Sequence, residues 1–348
     1  MHRSRIPTRS IGAALLTVAL AACTTSAAAP LPKLKIDPAR VSVAGLSSGA
    51  YMATQAQMAW PEIFHGAALV AGGPYGCAGG KLEVALGACM KGEPAPDVAA
   101  LVARARERVG KGELGPLDAL AKARIYVLHG KDDALVAATV SRDAATFYEQ
   151  LRDALPALSG MQVDFDGARA FAHNLPVADK GEDCAQSKSP FLGHCGFDAA
   201  GEIFAQLYGA APAAATAAKG ELRSFAQKDF LPDGKDAYLG DTGYAYLPAA
   251  CLHGESCGLM VAFHGCKQNA AMVGEAFVRD AGFNRWADVY KVAVVYPQTR
   301  SSLAPLNPQA CWDWWGYSGA DYDTRHGVQQ QWLLRLLRAL GVAPPATA

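Results

Sequence analysis

Short apolar runs, most of them closed by Gly, Asp or Pro, alternate along this chain with longer stretches of helical spacing. Val41–Ala44, Gly66–Ala71, Arg124–His129, Met161–Phe165, Leu259–His264 and Val292–Pro297 read as strands. Ala50–Met58, Val98–Val109, Ala137–Leu155, Ala199–Leu207, Met272–Val289 and Gly327–Leu340 read as helices. Several of the strands are almost wholly apolar, which is the pattern of strands covered on both faces. The alternation therefore predicts an α/β fold, a mostly parallel sheet between two helical layers, with reactive groups at the carboxyl ends of the strands. Ala210–Lys219 (AAPAAATAAK) is a low-complexity stretch, read as a connection inside one domain rather than a linker between two.

One strand end carries chemistry at once. Val41-Ser42-Val43-Ala44 runs into Gly45-Leu46-Ser47-Ser48-Gly49, a G-x-S-x-G pentad. Such a strand–turn–helix holds one serine Oγ out at the sheet's edge, and the following N–H faces a developing oxyanion. Glycines at 45 and 49 let the strand and helix backbones approach closely. Ser47 is the candidate nucleophile and Ser48 supplies the first oxyanion amide.

Three further segments supply what a serine nucleophile needs. Ile125–Leu128 leads into His129-Gly130-Lys131-Asp132-Asp133, where a carboxylate at the strand end can hold an imidazole in its useful tautomer. The H-G-x-x-D-x-x-V spacing of α/β-hydrolases selects Asp133, with Asp132 as its neighbouring alternative. About 40 residues on, Phe171-Ala172-His173-Asn174 offers a general base. His65, His129, His194, His253, His264 and His326 compete, but His173 alone follows a last strand in the Ser…Asp…His order. Leu259–Phe263 then ends in His264-Gly265-Cys266, the usual form of a second oxyanion amide just beyond a strand, here that of Cys266. In an ordinary α/β-hydrolase the oxyanion strand precedes the nucleophile strand. Here it follows by over 200 residues, so the chain reads as circularly permuted, with both halves needed for one site.

The N-terminus adds an address. Residues 1–22 contain Arg3, Arg5 and Arg9, no acid, and an apolar stretch from Ile11 to Ala22, which together read as an export leader too short to span a bilayer permanently. It ends Leu20-Ala21-Ala22-Cys23, similar to a lipoprotein cleavage site with Cys23 as the lipidated residue; ordinary cleavage around Ala27–Ala29 is the alternative. The expected layout is leader 1–22, tether 23–39, catalytic domain 40–343 and tail 344–348. The mature protein would be extracellular, periplasmic or anchored to a membrane through the Cys23 lipid. Removing the three arginines from 32 basic residues leaves 29 against 32 acidic, a net charge near −3, which gives nucleic acid nothing to bind.

Nine cysteines less Cys23 leave eight, an even number that in an exported chain favours four disulfides. Counting does not fix connectivity. Pairing neighbours along the chain gives Cys77–Cys89, Cys184–Cys195, Cys251–Cys257 and Cys266–Cys311, the last of which would stiffen the second oxyanion loop. Zinc is the rival reading of clustered Cys and His, but neither C-x-x-C nor H-E-x-x-H spacing occurs.

Taken together, GLSSGAYMA, HGKDDALV, the His173 loop, AFHGCKQ and NPQACWDWW (Asn307–Trp315) resemble the permuted polyhydroxybutyrate depolymerases, an esterase branch of the α/β-hydrolases, over about residues 40–340. The resemblance implies a Ser47–His173–Asp133 triad, Ser48 and Cys266 as oxyanion amides, and a tryptophan after the last cysteine lining the polymer crevice. Trp312, Trp314 and Trp315 are the candidates, with Trp314 or Trp315 favoured. It implies hydrolysis of poly(3-hydroxybutyrate) or its oligomers through an acyl-enzyme, by a monomer without metal or organic cofactor. No separate adsorption domain is expected, which leaves amorphous granules and short oligomers as the fitting substrates. A feruloyl or acetylxylan esterase is the alternative, and a non-catalytic polymer- or glycan-binding lipoprotein the more distant one.

Overall fold

The computed structural model describes residues 1–2 and 30–343. Cys23 and most of the leader, together with the 344–348 tail, lie outside the described residues. Eleven strands are present among them: β1 (Ile36–Leu46), β2 (Gly66–Val70), β3 (Arg124–Leu128), β4 (Gln162–Asp166), β5 (Leu175–Val177), β6 (Glu182–Asp183), β7 (Leu192–His194), β8 (Glu221–Ala226), β9 (Thr242–Leu247), β10 (Cys257–Phe263) and β11 (Val292–Tyr296). The helices are α1 (Ser48–Ala59), α2 (Leu82–Leu86), α3 (Ala88–Lys91), α4 (Val98–Gly110), α5 (Ala138–Ala154), α6 (Ala199–Tyr208), α7 (Ala249–Leu252), α8 (Ala270–Val273), α9 (Ala276–Asp280), α10 (Phe283–Tyr290) and α11 (Val328–Leu340).

Eight strands form one sheet in the order β4-β3-β2-β1-β10-β11-β9-β8. From β4 to β11 every pairing is parallel, and β9 and β8 add antiparallel strands at one edge. All six expected strands lie in the parallel part. Alternate residues of each strand feed different apolar layers: Val43, Leu69, Val127 and Val261 pack with α1, α5 and α11, whereas Ala44, Val70, Leu128 and Ala262 pack with α6 and α10. A sheet buried on both faces has no polar face to show, which is why its strands read as continuous apolar runs.

Three differences from the sequence pattern have local causes. The expected helix 272–289 is cut into α8, α9 and α10 because Gly274 and Gly282 take positive φ (60° and 88°), a left-handed conformation that ends a helical run. Strands β8 and β9 lie at the sheet's edge, where Glu221, Ser224 and Thr242 are exposed and the apolar signal is diluted. The small parallel sheet β5-β7-β6 is built from strands of two or three residues, too short for any period.

The 210–219 stretch carries no element and leads from α6 to edge strand β8 of the same sheet. Late strand β10 lies directly beside β1, with Gly45 opposite Phe263, so the two halves of the chain meet at the turn that carries Ser47. The ends of the fold also meet: the Leu34 N–H donates to the Leu340 carbonyl at 2.9 Å.

Candidate active site

Ser47 stands between β1 and α1 with φ 57° and ψ −120°, a strained conformation for a residue with a side chain. Its N–H extends the sheet ladder to the Val70 carbonyl at 2.8 Å. The crossing is tight on both sides. A β-carbon on Gly45 would lie 2.1 Å from the Gly49 oxygen, and one on Gly49 would lie 2.3 Å from the Phe263 oxygen. Ser48 opens α1, so its N–H has no partner within the helix and adds the positive end of the helix dipole. The Ser48 hydroxyl instead accepts the Trp312 N–H at 3.4 Å.

Asp133 and His173 meet on two loops joined backbone to backbone. Beyond β3, Lys131 N–H donates to Arg169 O (2.9 Å) and Asp132 N–H to Phe171 O (3.3 Å). Gly130 makes that approach possible, since a β-carbon there would sit 2.0 Å from the Phe171 oxygen. The result is a His173 Nδ1–Asp133 Oδ2 hydrogen bond of 2.7 Å, the two side chains being 7% and 1% exposed. Asp132, the alternative acid, is exposed. Burial pushes the Asp133 carboxyl up, but the hydrogen bond and charge of His173, with the Val136 and Leu135 amides on Oδ1 (2.9 and 2.8 Å), outweigh it and hold the carboxyl below its ordinary range. Behind His173, its own N–H donates to Ser187 Oγ (3.1 Å) and Asn174 Nδ2 donates to the Cys184 and Gln186 carbonyls. The loop is thereby tied to the Cys184–Cys195 disulfide.

Nearby His129 is engaged elsewhere. Its Nδ1–H donates to Ser141 Oγ (2.9 Å), whose own hydroxyl donates to the Gly72 carbonyl. Burial lowers its pKa, against the opposing pull of the Asp133 charge.

The second oxyanion loop is fixed from every side. The buried His264 donates Nδ1–H to Gly265 O (2.6 Å) and accepts the Thr299 N–H on Nε2 (3.2 Å). Burial lowers its pKa to about 4, so this link is between neutral partners. Gln268 Oε1 accepts the Gly265 N–H (2.8 Å) while its Nε2 donates to the Pro190 carbonyl (2.8 Å). Cys266 is bridged to Cys311, and its N–H has no acceptor among the described residues. A β-carbon on Gly265 would lie 3.5 Å from Ser47 Cβ, which puts the loop that carries the Cys266 amide beside Ser47. All four disulfides have the neighbour pairing expected from the sequence.

Ser47, Ser48, His173 and Cys266 line one cavity of about 360 Å³, within the range of small-ligand pockets. Trp314 and Trp315 line it too, Trp314 being stacked on Tyr51 at 4.7 Å and meeting Trp315 edge-on at 5.7 Å. Their loop is shaped by the buried Asp313 carboxylate, which accepts the Trp315, Gly316, Tyr317 and Ser318 N–H groups. Trp312 corrects the expectation. It is fully buried, edge-on to Phe263 at 4.9 Å, and packs beneath the cavity instead of lining it.

Sequence reading missed the opposite wall, which is Leu82, Leu86 and Met90 on α2 and α3. Their i, i+4, i+8 spacing was the available signal, and the Cys77–Cys89 bridge holds that wall in place.

Residues 242–330 match the family model described as Esterase PHB depolymerase. A poly(3-hydroxybutyrate) depolymerase of Delftia acidovorans is 36% identical over 327 residues, which is 92% of this chain and 64% of that protein; the chain thus spans under two thirds of that relative's length. A polyhydroxybutyrate depolymerase of Talaromyces funiculosus is 32% identical over 329 residues, 90% of this chain and 92% of that protein. A solved structure of a PHB depolymerase serine-to-alanine variant complexed with an R3HB trimer has the same α/β-hydrolase-like arrangement. Its TM-score is 0.81 at 28% identity, over 91% of this chain and 100% of that one. With these likenesses running along nine tenths of it, the chain belongs to the polyhydroxybutyrate depolymerase family.

Proposed function

We propose that this protein is a serine esterase that hydrolyses poly(3-hydroxybutyrate) or its oligomers through an acyl-enzyme. The observation that carries the reading is the buried 2.7 Å His173–Asp133 pair opening onto the same cavity as the strained Ser47. Ser47 Oγ attacks the ester carbonyl as His173 Nε2 takes its proton, and Asp133 stabilises the imidazolium. The Ser48 and Cys266 amides hold the tetrahedral oxyanion, each such donor contributing about 3 kcal/mol. The intermediate collapses, His173 returns the proton to the departing alkoxide, and a hydroxyl-ended fragment leaves. Water, deprotonated by the same imidazole, attacks the acyl-serine, so that a carboxyl-ended fragment leaves and Ser47 is restored.

The cavity walls favour an aliphatic polyester over a sugar ester. Leu82, Leu86, Met90 and Leu135 offer nothing to sugar hydroxyls, while Trp314 and Trp315 suit an apolar chain. The trimer named with the similar structure fits that reading. Four disulfides support export through the 1–22 leader, with or without lipid on Cys23. The permuted order is supported by the Leu34–Leu340 contact, which brings together the ends that an ordinary order would join.

The test is labelling with a fluorophosphonate beside turnover of amorphous polymer. Ser47→Ala is expected to abolish both, and Ser48→Ala to keep the label because only its backbone takes part. A label that persists on the Ser47→Ala chain discards the assignment.

A further inference from the structure

We infer that Lys267 reads the free carboxylate of a short oligoester, so that this site prefers oligomers with an ionised carboxyl end over the same chains with that end esterified. The inference rests on the proposed esterase activity and deepens it.

The cavity is almost free of charge. No Asp, Glu or Arg lines it, and besides His173 the only ionisable cation on its wall is Lys267, next to the Cys266 amide. Lys267 is exposed and forms neither an ion pair nor a side-chain hydrogen bond among the described residues. Lys91, next to the wall residue Met90, is by contrast engaged: it donates to the Ala134 and Leu135 carbonyls after Asp133.

The position is also held firmly. Lys267 has φ 58°, a conformation that glycine or asparagine adopts far more readily. It is kept there by its N–H on the Gln309 carbonyl (2.7 Å), by the disulfide on the residue before it and by the Gln268 clamp on the residue after it. A neutral polyester interior has no group for such a cation. A chain end does. In a 3-hydroxyacid the carboxyl carbon stands only two carbons beyond the one bearing the ester oxygen, so an end one unit past the scissile bond lies close to the oxyanion loop. Beside an apolar wall an ammonium and a carboxylate are less well screened than in open water.

The experiment uses the full chain and two substrates, the (R)-3-hydroxybutyrate trimer as its free acid and as its methyl ester. The readout is the ratio of kcat/KM for the two, at low salt. The native protein is expected to favour the acid about fivefold, the upper end for an exposed ion pair, chiefly through KM. Lys267→Gln brings the ratio towards one, Lys267→Arg keeps it, Lys267→Glu inverts it, and 1 M NaCl shrinks it in the native protein. A ratio near one in the native protein overturns the inference. So does a Lys267→Gln chain that loses both activities in equal proportion, which would make the lysine a structural or general electrostatic element of the loop. Failure of the native protein to cleave either trimer while it still turns over amorphous polymer also overturns the inference, whereas failure on the polymer as well sinks the esterase reading and this inference with it.

Discussion

Gly130→Ala probes the contact that brings acid and base together. The new β-carbon would sit 2.0 Å from the Phe171 oxygen, where real β-carbons essentially never come nearer than 3.0 Å, so the two strand-end loops must part by about 1 Å. Overpacking of this kind costs about 1–3 kcal/mol, against a total stability of about 5–15 kcal/mol, so the chain stays folded. What suffers is the pair beyond it. Asp133 rides on the Gly130 loop and His173 follows Phe171, and a 2.7 Å bond opened by that much is no longer a good hydrogen bond. A displacement of about 1 Å in a catalytic group costs about 10²-fold, and loss of the acid's function altogether about 10⁴-fold. The expected fall in kcat on a soluble aryl butyrate therefore lies between those limits, with a parallel fall in the rate of fluorophosphonate labelling and a thermal midpoint only a few degrees lower. A kcat within threefold of the native value, in a chain whose midpoint has shifted as expected, would refute the claim that this contact sets the triad's geometry.

Two further predictions concern Asp133 and His264. Asp133→Asn is expected to lower kcat by about 10⁴-fold while leaving KM nearly alone, because an amide donates towards Nδ1 and favours the wrong imidazole tautomer; a loss under tenfold, measured on the same aryl ester, would exclude the carboxylate's orienting role. The second concerns stability and pH. The native His264 binds its proton only below about pH 4, whereas the unfolded chain binds one near 6.5, so unfolding takes up a proton between these values and stability falls as the pH drops. By pH 5 the loss from this ring alone is about 2 kcal/mol. His65 and His129, also lowered by burial, act in the same direction, while Asp313 and Asp323, raised by burial, oppose it. His264→Gln removes only the ring's share, so urea unfolding at pH 7 and pH 5 is expected to show a loss about 2 kcal/mol smaller in the variant; equal losses would contradict the linkage.

Most of the parallel strands were legible because they are buried on both faces and so are apolar almost without interruption, as in Leu259–Phe263, while β4, the sheet's other edge, still shows an apolar alternation at Met161, Val163 and Phe165. The edge pair β8 and β9 was not legible. Edge strands mix exposed and buried positions, and Glu221-Leu222-Arg223-Ser224 carries the polar signature of a loop. The helix read across 272–289 failed for the opposite reason. Its apolar spacing is genuine, with Phe277, Phe283 and Ala287 all in the core, but two glycines turn the chain between those contacts. Periodicity reports which residues are inward, and it does not report whether one helix or three carry them inward.

The same distinction explains which parts of the site could be read. Ser47, Asp133, His173 and Cys266 stand at the ends of β1, β3, β4 and β10, where a particular residue type at a fixed offset from an apolar run has few structural reasons to occur. The substrate-facing surface has no such mark. Leu82, Leu86 and Met90 differ in no way from a core stripe until a cavity is found against them, and Trp312 looks like its neighbours Trp314 and Trp315 until it is seen packed against Phe263 while the other two line the cavity. Lys267 is the converse case. An exposed lysine in a loop says nothing by itself, and its chemical meaning comes only from the uncharged walls around it. Catalytic groups are therefore specified by local geometry that a sequence can encode in one segment, whereas specificity is a relation between segments and is decided by what the fold places opposite them.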